Sequence, residues 1–204
     1  MRDLAAWGLI LWGSLGAFAG QFNSERDIGD VAPTWKELPG VDGKKHSLTD
    51  ITEPVVVVVF TCNSCPIAVD YEDRIITLAK QFAGKAAFVA INVNRVPDDS
   101  LPKMKERADA KQFPFPYLFD ESQQIAKDYG AVFTPEFFVL DKDRRIVYMG
   151  GMDDNSDASQ VKNKYLEPAI ESTLQGTAPA VSETVARGCR VRYAREKRGS
   201  KESK

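Results

Sequence analysis

Val55-Val56-Val57-Val58-Val59-Phe60 runs straight into Thr61-Cys62-Asn63-Ser64-Cys65-Pro66. A β-branched run of six behind Pro54 predicts a strand buried on both faces. Beyond the cysteines, Ile67, Tyr71, Ile75, Leu78 and Phe82 recur at helical spacing and predict one amphipathic helix, ended by Gly84. Ala86–Val93 (AAFVAINV) reads as a second buried strand, so the two strands and the helix between them form a parallel crossover unit.

The rest of the chain extends that unit. Ser100 opens a helix over about 100–112, and Phe113-Pro-Phe-Pro breaks it. Tyr117–Phe119 predicts a short strand, 121–129 a helix closed by Gly130, and Glu136–Leu140 a strand. Asp141-Lys-Asp then turns into Arg145–Met149 as an antiparallel hairpin. A last helix is expected over about 160–175, kinked at Pro168 or starting near Glu167. Upstream, Asp42-Gly43 marks a turn between short strands near Trp35 and His46–Leu48, an N-terminal β-hairpin extension. The order β-α-β-α-β-α-β-β-α predicts an α/β fold with a central mixed sheet flanked by helices.

The 204 residues suffice for one domain, here 20–180. Residues 1–19 read as a signal peptide: Arg2, an apolar run from Leu4, and Ala17-Phe18-Ala19 as the cleavage site. An uncleaved anchor is the other reading of that run. Cleavage implies a periplasmic or secreted protein with no membrane span, in a compartment where disulfides persist. The last segment, 181–204, carries a Gly-Cys motif and a basic tail, with a net charge of +6 over 187–204 and −8 over 20–186. A solvated, frayed terminus is expected there, and the overall charge of −2 argues against nucleic acid as a partner.

The sequence contains three cysteines and one histidine, His46. Three cysteines are too few for a disulfide scaffold, and one histidine makes a Ser/His triad a poor fit. Cys62-x-x-Cys65 between a buried strand and a helix predicts a redox dithiol. A sulfur at a helix N-terminus meets unpaired N–H groups and the positive end of the macrodipole, which stabilises the attacking thiolate. Cys62 is the expected nucleophile and Cys65, one turn deeper, the resolving thiol. A permanent disulfide across so short a loop gains little, and zinc would need two further soft ligands where only Cys189 and His46 remain. Thr134-Pro135 before a strand is a candidate cis bond facing an extended substrate chain.

The segments VDGKKHSLTD, VVVFTCNSCPIAVDYEDRI, FPFPYLFDESQQIAKDYGAVFTPEFFVLD, MGGMDDN and GCRVRY resemble exported bacterial redoxin-domain proteins. These form the alkyl hydroperoxide reductase/thiol-specific antioxidant group of the thioredoxin-like superfamily. The resemblance covers roughly 28–193. It implies a thioredoxin-like fold, Cys62 and Cys65 as the redox pair, Pro135 as the active-site cis-proline beside Thr134, and no cofactor. The expected partners are a protein or small-molecule disulfide and a separate thiol electron donor.

The chain departs from the pattern in three places. Thr61 stands where thioredoxins carry Trp, Ser64 where related redoxins carry His, and Val56 where thioredoxins carry a buried acid. The absence of His makes a less oxidising pair the expectation. Glu136, Asp153 and Asp154 are the candidates to replace the missing proton acceptor. A peroxide-reducing antioxidant enzyme is the alternative, although the Thr-x-x-Cys spacing of a peroxidatic site is not met by either cysteine. A copper- or zinc-binding module using Cys62, Cys65 and Cys189 is the third reading. Cys189 itself is a possible third redox cysteine, with Arg187, Arg190 and Arg192 available to lower its pKa.

Overall fold

A computed structural model describes residues 20–194; the expected signal peptide and most of the basic tail lie outside the described residues. In chain order the elements are β1 (Leu38–Pro39), β2 (Lys45–His46), β3 (Val55–Phe60), α1 (Pro66–Gln81) and β4 (Ala86–Asn92). They continue with α2 (Leu101–Lys111), β5 (Tyr117–Phe119), α3 (Gln124–Tyr129), β6 (Phe133–Thr134) and β7 (Glu136–Leu140). β8 (Ile146–Gly150), α4 (Leu166–Leu174) and β9 (Cys189–Arg190) complete the set.

The central sheet has the order β5-β4-β3-β7-β8, with β3, β4 and β5 parallel and β7 and β8 antiparallel to their neighbours. Strand alternation splits the valine run between two cores. Val55, Val57 and Val59 face Tyr71, Ile75 and Leu78 of α1, Met104 and Ala108 of α2, and Leu166 and Ile170 of α4. Val56, Val58 and Phe60 face Ile125 and Tyr129 of α3 together with Trp35 and Leu48. Every residue of β3 is therefore buried, which is why no polar residue interrupts it. The mixed sheet flanked by helices is the expected thioredoxin-like architecture.

Two local expectations need correcting, and the last helix is resolved in favour of its start near Glu167. Trp35 and Leu48 are core residues outside the strands, and the N-terminal hairpin is the shorter β1–β2 pair. The last helix begins at Leu166, so Pro168 lies in its first turn, where its missing N–H costs no helical hydrogen bond. The 187–194 segment is not frayed: Val191 is buried, Arg192 N–H donates to Asn94 Oδ1 at 2.9 Å, and the Tyr193 hydroxyl donates to the Ala131 carbonyl at 2.6 Å. The Gly-Cys stretch pairs with β6 as a separate two-stranded ladder.

Candidate active site

The C-terminal ends of β3 and β4 lie side by side, Phe60 opposite Ile91, and the cysteine loop leaves the sheet there. Pro66 is the first residue of α1, which makes Cys65 its N-cap. The Ala68 N–H donates to Cys65 Sγ at 3.3 Å. The helix terminus therefore serves Cys65, whereas the sequence had placed Cys62 in that field. Cys62, Cys65 and Ala68 form a small buried cluster, with Cys189 packed against it. All three cysteines are free thiols.

Thr134 touches each of them. Its Oγ1 lies 3.4 Å from Cys62 Sγ, its carbonyl accepts the Cys65 thiol at 3.2 Å, and its backbone pairs with Cys189 across β6–β9. The Thr134–Pro135 peptide is cis, as the family resemblance implied and against the trans form that X-Pro bonds commonly take. Gly188 lets the last strand come this close: a Cβ there would stand 2.0 Å from the Thr134 carbonyl oxygen.

The loop between the cysteines is held by a residue that sequence reasoning missed. Asp99, fully buried just before α2, accepts the Asn63 N–H at 2.7 Å, the Ser64 N–H at 3.1 Å and the Ser64 hydroxyl at 2.5 Å. Asn92 Nδ2 donates to the same carboxylate at 3.1 Å and to the Tyr117 hydroxyl at 3.3 Å, and that hydroxyl donates to Asn63 Oδ1 at 3.1 Å. The signal that could have found Asp99 is topological: it follows the end of a strand parallel to and beside β3, on the edge where such sheets place their sites.

These contacts divide the charge unequally. A thiolate on Cys65 is stabilised first by donation from the Cys62 thiol, then by Cys189 and the Ala68 N–H, so Cys65 titrates below the ordinary thiol range. Cys62 is pushed up, first by its hydrogen bond to Cys65, then by burial and by the Asp99 charge; the Thr134 and Ser64 hydroxyls oppose this. Cys189 is raised by burial, by its hydrogen bond to Cys65 and by the nearby Cys65 charge.

The three candidate proton acceptors are placed differently. Glu136 is buried beside Pro135, and its carboxylate accepts the Val132 and Phe133 N–H groups at 2.8 and 2.9 Å. Burial outweighs those hydrogen bonds and lifts its pKa to about 7. Asp153 is buried against the Tyr71 hydroxyl at 2.9 Å and the Arg74 guanidinium at 2.5 Å. Asp154 accepts the Lys162 and Asn163 N–H groups in an exposed loop. Neither aspartate is hydrogen-bonded to a cysteine sulfur. His46 sits in the hairpin, with Nε2 3.0 Å from Asp42 Oδ1. Among the described residues, no group of three or more His, Cys, Asp and Glu side chains could hold a metal ion, and no helix is long and apolar enough to cross a membrane.

Comparison with known proteins agrees with this picture. The AhpC/TSA family model matches residues 28–149. The thiol-disulfide oxidoreductase ResA of Bacillus thuringiensis subsp. konkukian is 27% identical over 178 residues, covering 84% of this chain and 92% of its own. The crystal structure of an uncharacterized conserved protein from Geobacillus kaustophilus superposes with a TM-score of 0.79 at 31% identity, over 84% of this chain and 94% of that one. The peroxidoxin BcpB of Mycobacterium tuberculosis shares the fold, with a TM-score of 0.58 at 21% identity over 76% of this chain and 98% of its own.

Proposed function

The chain belongs to the AhpC/TSA family, and from that premise we propose that it is an exported thiol–disulfide oxidoreductase cycling Cys62 and Cys65 between dithiol and disulfide. The observation that carries this is the arrangement of the two sulfurs: neighbours beside the helix terminus, both hydrogen-bonded to Thr134 at the end of β6. One Cys65 thiolate held by the Ala68 N–H and the Cys62 thiol is the species that disulfide exchange needs.

In the reducing direction, a thiolate of the pair attacks a substrate disulfide and the other thiol resolves the mixed disulfide. Two electrons leave as the Cys62–Cys65 bond forms. The expected order has Cys62 as nucleophile. The hydrogen bonding favours charge on Cys65, so the Cys62 proton must pass to its partner as the attack proceeds. Glu136 is the one of the three candidate acceptors whose ionisation falls near neutral pH. The signal-peptide reading of residues 1–19 supports a periplasmic or secreted location, where an exchangeable disulfide persists.

The test is intact-mass spectrometry of the protein equilibrated across glutathione buffers. A reversible loss of about 2 Da, mapped to Cys62–Cys65, is the expected result. Oxygen adducts with rapid peroxide turnover and no such loss would replace this reading with peroxide reduction.

A further inference from the structure

The pair is closed to solvent: Cys62 is 3% exposed and Cys65 1%. The third thiol is not, since Cys189 is only half-buried. What lies over the pair is the chain's own last strand. β9 runs antiparallel along β6 with Cys189 opposite Thr134, and the Val191 N–H extends the pairing to the Val132 carbonyl at 2.9 Å. Arg190 lies over the Phe133 ring, and the Gln123 side chain holds the end of the segment through the Arg192 carbonyl and the Ala194 N–H. This is strand addition carried out by the chain on itself. It packs Cys189 against the buried cluster that holds Cys62 and Cys65.

Resting on the oxidoreductase reading above, we propose that Cys189 is the outer thiol of a three-cysteine relay, exchanging with Cys65 and carrying disulfide between the buried pair and an external thiol. The exchange balances without a further reagent. The Cys189 thiolate attacks Cys65 Sγ of the Cys62–Cys65 disulfide; that bond breaks, a Cys65–Cys189 bond forms, and Cys62 takes up the proton Cys189 gave. An external thiolate then attacks Cys189 and releases Cys65. A second external thiol completes the cycle, leaving one external disulfide and a reduced protein. Run backwards, the same steps reduce an external disulfide.

Two causes of the raised Cys189 pKa, its hydrogen bond to Cys65 and the Cys65 charge, vanish once Cys65 is in a disulfide, and the nearby Arg192 favours the thiolate throughout. Burial, the largest cause, stays, so oxidation of the inner pair eases ionisation of Cys189 without removing its upward shift.

The probe is oxidised glutathione added to the reduced full-length chain, with acid quenching at short times and non-reducing peptide mapping. The expected first adduct is glutathione on Cys189, followed by the Cys65–Cys189 and Cys62–Cys65 disulfides. Cys189→Ser is expected to slow oxidation of the pair about tenfold. Cys62→Ser is expected to stop at the Cys65–Cys189 disulfide. Glutathione appearing first on Cys62 with Cys189 unmodified overturns the relay. So does a Cys62→Ser chain without a Cys65–Cys189 link while the parent still forms Cys62–Cys65. A parent that forms no Cys62–Cys65 disulfide instead overturns the oxidoreductase reading, and the relay with it. The early quench on the parent requires no variant to fold.

Discussion

Asp99 accepts the Ser64 hydroxyl at 2.5 Å and the Ser64 N–H at 3.1 Å. Together with the Asn63 N–H at 2.7 Å, both backbone donors between the two cysteines are spent on a carboxylate, and the Ser64 hydroxyl is shared between it and Cys62 Sγ at 3.8 Å. Two backbone amides of the loop are neutralised, and a negative charge is added near Cys62.

Replacing Asp99 with Asn keeps an acceptor and removes that charge. Cys62 should then titrate about one unit lower, because its upward shift includes the Asp99 charge. The pH dependence of iodoacetamide labelling at Cys62 measures it. A profile unmoved from the parent would mean that the carboxylate only holds the loop.

Thr134→Val removes the hydroxyl 3.4 Å from Cys62 while keeping the side-chain shape. Hydrogen bonds to charged groups contribute about 1.5–3 kcal/mol, so Cys62 should titrate at least about one unit higher. Labelling at Cys62 should slow correspondingly at fixed pH, with labelling of an added external thiol as the control.

Glu136 links folding to pH. Its folded pKa, about 7, lies above the ordinary value of 4.5. Between those values the folded state holds a proton that the unfolded state has lost, so stability falls as pH rises from about 4.5 to 7 and is level above. The full change is about 3 kcal/mol. Glu136→Gln should flatten that part of the curve in urea titrations run from pH 4 to 8. A slope that survives the substitution assigns the linkage to another group.

Asp153 is expected to be structural. Asp153→Ala takes the carboxylate from the partly buried Arg74 and the acceptor from the Tyr71 hydroxyl, and should cost about 2 kcal/mol in denaturant unfolding. The glutathione midpoint and its pH dependence should stay where they were. A changed pH dependence would make Asp153 the proton acceptor after all.

Gly188→Ala puts a methyl group against the Thr134 carbonyl and should lift β9 from β6. Labelling of Cys189 should rise about tenfold as its burial and its contact with Cys65 are lost. Unchanged labelling would show that the strand accommodates the methyl group in place.

Much of the architecture was legible because its signals are local. The valine run, the 3.6-residue spacing after Cys65 and the Asp141-Lys-Asp turn each specify their own element. Even the Cys65 cap was written in the sequence, since Pro66 marks the first helical position; the sequence reading set the helix terminus one turn too early. Asp99 was not legible. Asp98-Asp99-Ser100 looks like any helix-opening cluster, and only the pairing of β3 with β4 brings it against Ser64. The Arg74–Asp153 pair was hidden for the same reason: the two residues lie far apart in sequence and meet only through the packing of α1.

The strand at Cys189–Arg190 also sets an order of events in synthesis. A chain emerging N-terminus first presents Cys62 and Cys65 long before Cys189 exists. Until Cys189–Arg190 emerge and settle along Phe133–Thr134, the inner thiols lack their cover and are open to any oxidant or partner they meet. A segment made late thus closes a centre made early, and any change that displaces that strand acts on the sulfurs directly.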